Sequence, residues 1–528
     1  MSYWAKAPMP REQVVMFATT LDDRIPDDDP VRLLAEILDE CDWSSWESHY
    51  HGKLGQPPIH PKILAGLWLY GMRRGIRSSR KLEYMAGHNI DFMWLAQGHQ
   101  PDHSTLSNFR LKFADELKGL FKHVVRIALV GGFLQLLEAA FDGTRIKANA
   151  NRFETWTLEK IDATLNELTV AFEKQLAESQ EADRREKDLF GDSPDRLPPE
   201  LATLAGRRDT LQAIRTRLQE AEIARKKDGI DPAKNPAQVP KHDPDSKILP
   251  NKEKGYAPNY TPLAMTEGHG GYIIDSDVIP GPNEHQELVP SVARAEETCS
   301  EKPQNVLGDG AFATGPNICD LEARGVTFYS PITMPEDKDN PAVRPDPKEP
   351  VSEAEWGRLP INPQTEKLDK ACFRYDAEQD RYYCPRGEPL PYEQTKTEKK
   401  DGQRVGSRVY RCQACTGCPL AARCVSAQNK RGRTISRDIY AAERERFAAK
   451  MQTDQARKTY NRRMHMAETT FGIIKNVMGL RQFLLRGLEK VKVEWLWTCT
   501  AFNIGKLVRD LRRVRARHAA EIAAATLN

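Results

Sequence analysis

Three acidic residues stand where a carboxylate could do chemistry. Asp142 follows the apolar run Ala139-Ala140-Phe141 and precedes Gly143, and Asp309 lies between Gly308 and Gly310 after Val306-Leu307. Glu468 lies in MHMAETTFGIIK, a helical stretch that would otherwise show an apolar face. An acid on a strand, a second at the end of a neighbouring strand and a third on a helix can converge. Converging carboxylates suit hard divalent cations, and two cations about 3.5–4 Å apart activate the attacking oxygen and stabilise the leaving one at a phosphodiester. The competing reading is structural: the chain has 75 acids, and an Asp at a strand end is commonly a turn residue or a helix cap. Asp275 and Asp277, on the intervening strand, compete for the same role.

Gly472 and Lys475 lie four and seven residues after Glu468 and share its helical face. A Lys beside a metal-binding acid could hold a phosphate; its plain alternative is a helical ion pair worth tenths of a kcal/mol. Arg463, five residues back, projects about 140° away and reaches the same site only if the helix bends or starts later. A second cluster is made of thiols. Six of the ten cysteines fall between Cys372 and Cys424, and Cys384, Cys412, Cys415, Cys418 and Cys424 read C-x27-C-x2-C-x2-C-x5-C. Such spacing presents thiolates to a tetrahedral Zn²⁺, with more candidates than the four one site needs. The alternative is a set of reduced thiols in an irregular segment.

The elements that must position these groups follow from composition and periodicity. Of 528 residues, 29% are charged and 39% hydrophobic, which excludes a disordered or collagen-like chain. The net charge is +3, but Gly52–Arg126 carries 12 Lys/Arg against 5 Asp/Glu, and Arg481–Asn528 carries 10 against 4. Basic ends around an acidic middle suit a polyanionic partner. The apolar run Ile127–Leu137 is too short to span a membrane and reads as a buried helix. Met1–Pro10 lacks a secretory pattern, so a cytoplasmic protein with reduced cysteines is expected.

Residues 1–135 read as a helical domain with a basic face, suited to DNA or to a solvated bundle surface. Ala139–Ala148 reads as a strand. Thr157 to Asp228 reads as two long helices broken at Gly191–Pro199, a hairpin whose bland role is structural. Strand-like runs at Tyr260–Met265, Tyr272–Ile279, Gln304–Leu307 and Val326–Ile332 alternate with helical runs at Glu287–Ala295 and Asn317–Arg324. Ala441–Leu480 reads as one long helical stretch, and Val493–Arg517 as a helix that starts apolar and ends basic. This order predicts an α/β fold with a mixed sheet covered by helices, interrupted at loops by two large inserts.

Three stretches carry a family resemblance: Gly55–Arg110; FDGTRIKANANR (Phe141–Arg152) with VLGDGAF (Val306–Phe312); and YNRRMHMAETTFGIIKNVMGLRQFLLRGLEKVKVEW (Tyr460–Trp495). The chain resembles the DDE transposases of bacterial insertion sequences, in the branch with a helical insert and a cysteine-rich insert. The resemblance implies a ribonuclease-H-like catalytic domain over 136–333 and 430–510, an N-terminal DNA-binding domain over 1–135, a hairpin insert over 155–228, a cysteine-rich insert over 364–429 and a basic tail over 511–528. It implies Asp142, Asp309 and Glu468 as the Mg²⁺ (or Mn²⁺) ligands. It also implies a Tyr–Arg–Glu–Lys signature at Tyr460, Arg463, Glu468 and Lys475 that contacts DNA; the Arg-to-Glu gap is one residue longer than the usual form. The branch's cysteine pattern implies Cys384, Cys415, Cys418 and Cys424 as a structural Zn²⁺ set, with Cys412 able to replace Cys415. The implied activity is cleavage at element ends and joining of the 3′-hydroxyl to target DNA, by a dimer or larger assembly at the nucleoid. A stand-alone metal-dependent nuclease and a non-cutting regulatory DNA-binding protein are the competing readings.

Overall fold

The computed structural model describes residues 20–51, 57–190, 199–227, 229–251, 255–332, 339–400, 403–426, 429 and 431–526. The chain forms two compact units, one spanning Met1–Val306 with Arg462–Asn528, the other Leu307–Asn461. The break expected at Gly191–Pro199 lies almost wholly outside the described residues.

The first unit opens with helices whose ends are written in the sequence. Asp29 caps Pro30–Asp39 by accepting from Val31 N at 2.8 Å, and Pro30 takes the first helical position, where no N–H is needed. Val31, Leu34 and Leu38 then form its buried stripe. Pro61–Arg73 is buried over most of its surface, from Ile63 to Met72, so it is the centre of the helical layer. Helices Ser79–His88, Ile90–Ala96, His103–Lys112 and Ala114–Val130 surround it. The helix ending at Val130 corrects the expectation for Ile127–Leu137: Gly131 and Gly132 follow, Gly132 adopts φ +72°, and the chain turns instead of continuing.

Every strand paired with the long strand of this unit's sheet runs antiparallel to it. The long strand Tyr256–Glu267 lies between Glu138–Gly143 and Ile273–Ile279, with Asp142 opposite Ala264 and Ala264 opposite Ser276. It is buried from Pro258 to Glu267, as expected of a strand covered on both faces. Gln304 N and Asn305 N donate to Leu136 O and Leu137 O, so the strand Asn305–Leu307 starts beside the first strand's approach. The paired helices Leu158–Phe190 and Pro199–Lys227 pack through Ile161, Leu168, Leu211, Ile214 and Leu218.

The C-terminal helix Leu488–Thr526 ties sheet and helices together. Trp495 and Trp497, both fully buried, point about 200° apart. Trp495 Nε1 donates to Leu263 O in the long strand, and Trp497 Nε1 donates to Arg110 O among the N-terminal helices, each at 3.0 Å. Trp497 also meets Trp46 and Phe109 in an aromatic cluster. Glu494, immediately before Trp495 on the same helix, is fully buried. It accepts from Leu484 N, Leu485 N and Arg77, so its charge is satisfied.

The second unit holds the helix Gly315–Ala323, the strand Thr327–Tyr329 and a five-stranded antiparallel sheet made of Arg374–Asp376, Arg381–Tyr383, Pro389–Lys400, Gln403–Arg411 and Thr434–Asp438. The cysteine segment is therefore largely sheet, where the sequence suggested irregular chain. Its core is built on Tyr382, Leu390, Tyr410 and Ile435 with Cys372, Cys412 and Cys424. The stretch Ala441–Leu480 is three helices, not one: Ala441–Met451, Asp454–Asn461 and Arg463–Asn476.

Candidate active site

Asp142 sits near the end of Glu138–Gly143, and the helix Arg463–Asn476 contacts this strand and the long strand beside it. The buried stripe Met466, Ala467, Thr470, Phe471 and Ile474 faces inward, and Phe471 stacks on Trp495 at 6.3 Å. Gly268 lets the helix approach, since a Cβ there would lie 2.8 Å from Met466 Cε.

Helical geometry puts Arg463 in line with that buried stripe. Its Nη2 pairs with Asp142 Oδ2 at 3.0 Å, while Asp142 Oδ1 accepts from Gly143 N at 2.9 Å. The pair is shielded, with the side chains 14% and 18% exposed. Arg463 Nε, also buried, has no hydrogen-bond acceptor. The helix begins at Arg463, so Arg463 and Glu468 keep their separation of about 140°, and Arg463 reaches Asp142 from the buried face and not from the face of Glu468. The neighbouring Arg462 pairs with Glu138, four residues before Asp142 and so on the same strand face.

At the other end of the helix, Lys475 Nζ donates to Thr144 Oγ1 at 2.6 Å and to Arg145 O at 3.0 Å. Lys475 thus holds the two residues just beyond Asp142 and Gly143. Glu468, about 140° round from Arg463, is exposed. Asp309 opens the second unit. Its side chain accepts from Ala311 N at 2.9 Å, and its backbone oxygen accepts from Ser330 Oγ at 2.6 Å. In that position it caps the short turn Gly310–Phe312. Tyr460 lies in the helix Asp454–Asn461, also in the second unit.

The competing acids are committed elsewhere. Asp275 is buried, takes both Nε and Nη2 of Arg294 at 3.0 Å and accepts from Ser291 Oγ. Burial pushes its carboxyl upward against the pull of Arg294. Asp277 pairs with Lys492 at 3.1 Å. Two groups were invisible to sequence reasoning. Glu284 rests against the backbone beside Asp142, because a Cβ on Gly143 would fall 2.2 Å from Glu284 Oε2. Arg77 donates to Gly479 O, Gln482 O and Glu494, clamping the turn after the Arg463 helix. Their partners are hundreds of residues away, and no local pattern marks them.

Several cations that made the Gly52–Arg126 region basic are also engaged. Lys62 pairs with Asp39, Arg74 with Asp91, Lys118 with Asp115 and Lys122 with Glu297. Arg110 is buried over the Trp68 ring at 4.7 Å.

In the second unit, Cys384, Cys412, Cys415, Cys418 and Cys424 line one small cavity with Arg386 and Arg433. Cys372 bonds to Pro360 O instead. A hydrogen bond from Cys412, aided by Arg386 N, holds the Cys384 thiol well below the ordinary range, and the same pairing pushes Cys412 up. Burial pushes Cys424 up to about 12.

Mg²⁺ takes oxygen ligands, and Asp142, Asp309 and Glu468 supply the right donor chemistry. Among the described residues, no three His, Cys, Asp or Glu side chains are grouped so as to hold a metal ion. Asp142 pairs with the Arg463 guanidinium. No helix among the described residues is long and apolar enough to cross a membrane.

Two family models match the chain. Residues 383–508 match one described as a transposase DDE domain, and residues 19–112 match one described as a transposase domain. No curated protein matches it. The chain is related to the DDE transposases of insertion sequences.

Proposed function

We propose that this protein cuts DNA at the ends of a mobile element and joins the freed 3′-hydroxyl to target DNA. The observation that carries the reading is the strand–helix junction, where Arg463 and Lys475 reach from the two ends of one helix to Asp142 and to the two residues after Gly143. In this reading the catalytic core is ribonuclease-H-like, and Asp142, Asp309 and Glu468 hold Mg²⁺ or Mn²⁺. When bound, the metal pair supplies an activated nucleophile and stabilisation of the leaving oxygen in two in-line phosphoryl transfers. Arg463 and Lys475 neutralise and orient DNA phosphate, Tyr460 assists in the same contact, and the buried stripe keeps the helix fixed against the strand. Zn²⁺ held by Cys384, Cys415, Cys418 and Cys424, or by Cys412 in place of Cys415, fastens the second unit. The active form is a dimer or larger, since two ends must be brought together, and it works at the nucleoid in the cytoplasm.

The test is an end-cleavage assay with Mg²⁺ on the full chain. Asp142→Asn, Asp309→Asn and Glu468→Gln are each expected to slow cutting by roughly 10²–10⁴-fold, the equivalent of several kcal/mol of lost charge stabilisation, with DNA binding retained. Cutting that survives all three removes the assignment. One observation favours the non-cutting, regulatory reading: Asp142 is already neutralised by Arg463. Wild-type protein that binds ends without cutting in Mg²⁺ or Mn²⁺ would establish it, and cutting without joining would leave a nuclease.

A further inference from the structure

Beyond the strand–helix junction, two segments run side by side in the first unit. Lys147 and Gln482 form a parallel bridge, Lys147 N donates to Arg481 O, and Phe483 N donates to Lys147 O at 2.8 Å. Asn149 Nδ2 donates to Leu484 O, and Arg486 Nε returns a bond to Asn149 O at 2.9 Å. The ladder starts at Thr144 and Arg145, which Lys475 holds.

Its cations differ from a set of arginines elsewhere in the unit. Arg32, Arg74, Arg77, Arg215, Arg217 and Arg294 each pair with an acid. On the ladder, Arg145 bonds to Pro250 O, Arg481 to the Asn476 amide oxygen and Arg486 to Asn149, all neutral acceptors. Lys147 and Arg152 are exposed, and Arg152 lies over the Phe153 ring at 5.5 Å. Five positive charges therefore lie along one short surface, and among the described residues none of them makes an ion pair; Arg486 alone feels a nearby carboxylate, that of Asp243. Phe153, at its far end, is 83% exposed although its turn is fixed by Asn151, which accepts from Phe153 N and donates to Glu154. A rigidly presented, solvated aromatic beside a cation is a stacking platform, and cations outside ion pairs along a ladder suit a phosphate backbone.

We propose that the ladder Arg145–Phe153 with Arg481–Arg486 is a DNA-binding track. It leads a DNA strand away from Asp142, with Lys147, Arg152, Arg481 and Arg486 on phosphates and Phe153 against an unpaired base. The inference rests on the DNA-processing reading and adds a surface to it.

The probe is a labelled generic duplex with a single-stranded overhang, titrated onto the full-length protein over a range of salt. The variant Lys147→Gln/Arg481→Gln/Arg486→Gln is expected to flatten the log K against log salt slope by about 2.7, at roughly 0.9 per lost phosphate contact. Lys147→Gln/Arg481→Gln, which spares the Arg486–Asn149 bond, is expected to flatten it by about 1.8. Arg215→Gln, which removes a cation already paired with Asp162, leaves the slope unchanged. Phe153→Ala weakens binding of the overhang duplex by about tenfold, and Phe153→Trp restores it. If both multiple variants melt like wild type and keep its slope, the track is overturned while DNA binding stands. If wild-type protein shows no salt-dependent binding, the DNA reading fails and the track with it.

Discussion

Around Asp142 and around Cys384 the protein handles metal-type ligands in opposite ways. At Asp142 a carboxylate is neutralised by a guanidinium from a helix more than three hundred residues later in the chain, at 3.0 Å. At Cys384 a thiol is paired with another thiol, Cys412, at the ends of two strands of one sheet, and the pairing lowers the first and raises the second. The first site is governed by a cation and answers to ionic competitors; the second is governed by a proton and answers to pH. A local set can rely on backbone N–H groups such as Arg386 N and Arg433 N, each 3.4 Å from a sulfur.

The largest expected effect lies in thiol reactivity. Cys384, with its lowered pKa, becomes a thiolate below the ~8.5 of a free cysteine, so its alkylation rises with pH and levels off early. Cys41 is comparably exposed, but burial pushes its thiol up to about 12. At neutral pH, in protein stripped of zinc, mass spectrometry after brief iodoacetamide treatment should show Cys384 labelled at least roughly 100-fold faster. Equal rates would erase the contrast between a proton-governed site and the rest of the chain.

Next come two glycines, one at each site. A Cβ on Gly143 would fall 2.2 Å from Glu284 Oε2, and one on Gly432, at φ +97°, would fall 2.3 Å from Cys412 O. Gly143→Ala and Gly432→Ala should each lower stability by about 1–3 kcal/mol in denaturant melts. Gly472→Ala, in open space on the Arg463 helix, should raise it by roughly 0.5–1 kcal/mol. The Gly143 loss should shrink in Glu284→Ala, because the clash is with a side chain. The Gly432 loss has a backbone partner and should persist.

The smallest effect concerns the counter-charge itself. Arg463→Gln should tighten Mn²⁺ binding by about fivefold, near the upper end for a partly exposed ion pair of about 1 kcal/mol. Calorimetry without DNA measures this. Unchanged affinity in Arg463→Gln, with affinity lost in Asp142→Asn, would mean that the guanidinium does not compete with the ion.

Much of this arrangement was legible in the residues. Apolar spacing marked helices over Val31–Leu38 and Pro61–Arg73, found as Pro30–Asp39 and Pro61–Arg73, and the apolar lead-ins marked the strands that end near Asp142 and Asp309. The cysteine sheet was hidden because the strand Pro389–Lys400 reads PLPYEQTKTEKK, with little of the apolar alternation that signals a strand. Its register is held by cross-strand partners such as Tyr392 and Tyr410. The Arg463 contact was half legible: the 140° offset from Glu468 was correct, but the helix start that turns Arg463 toward the strand depends on packing. Glu284 and Arg77 carried no local signal, because each acts on chain far away in sequence, and Glu494 owes its burial to the distant Arg77 as well as to the nearby Leu484 and Leu485.

The clamp made by Arg77 and Glu494 has a consequence for how the molecule is born. A ribosome delivers Leu307–Asn461 while the closing pieces of the other unit, from Arg462 onward, are still unsynthesised. Asp142 must wait for Arg463, and the turn behind that helix waits for Glu494. A polypeptide cut short before Arg463 therefore lacks the pair at Asp142, and one cut short before Glu494 lacks the clamp behind that helix.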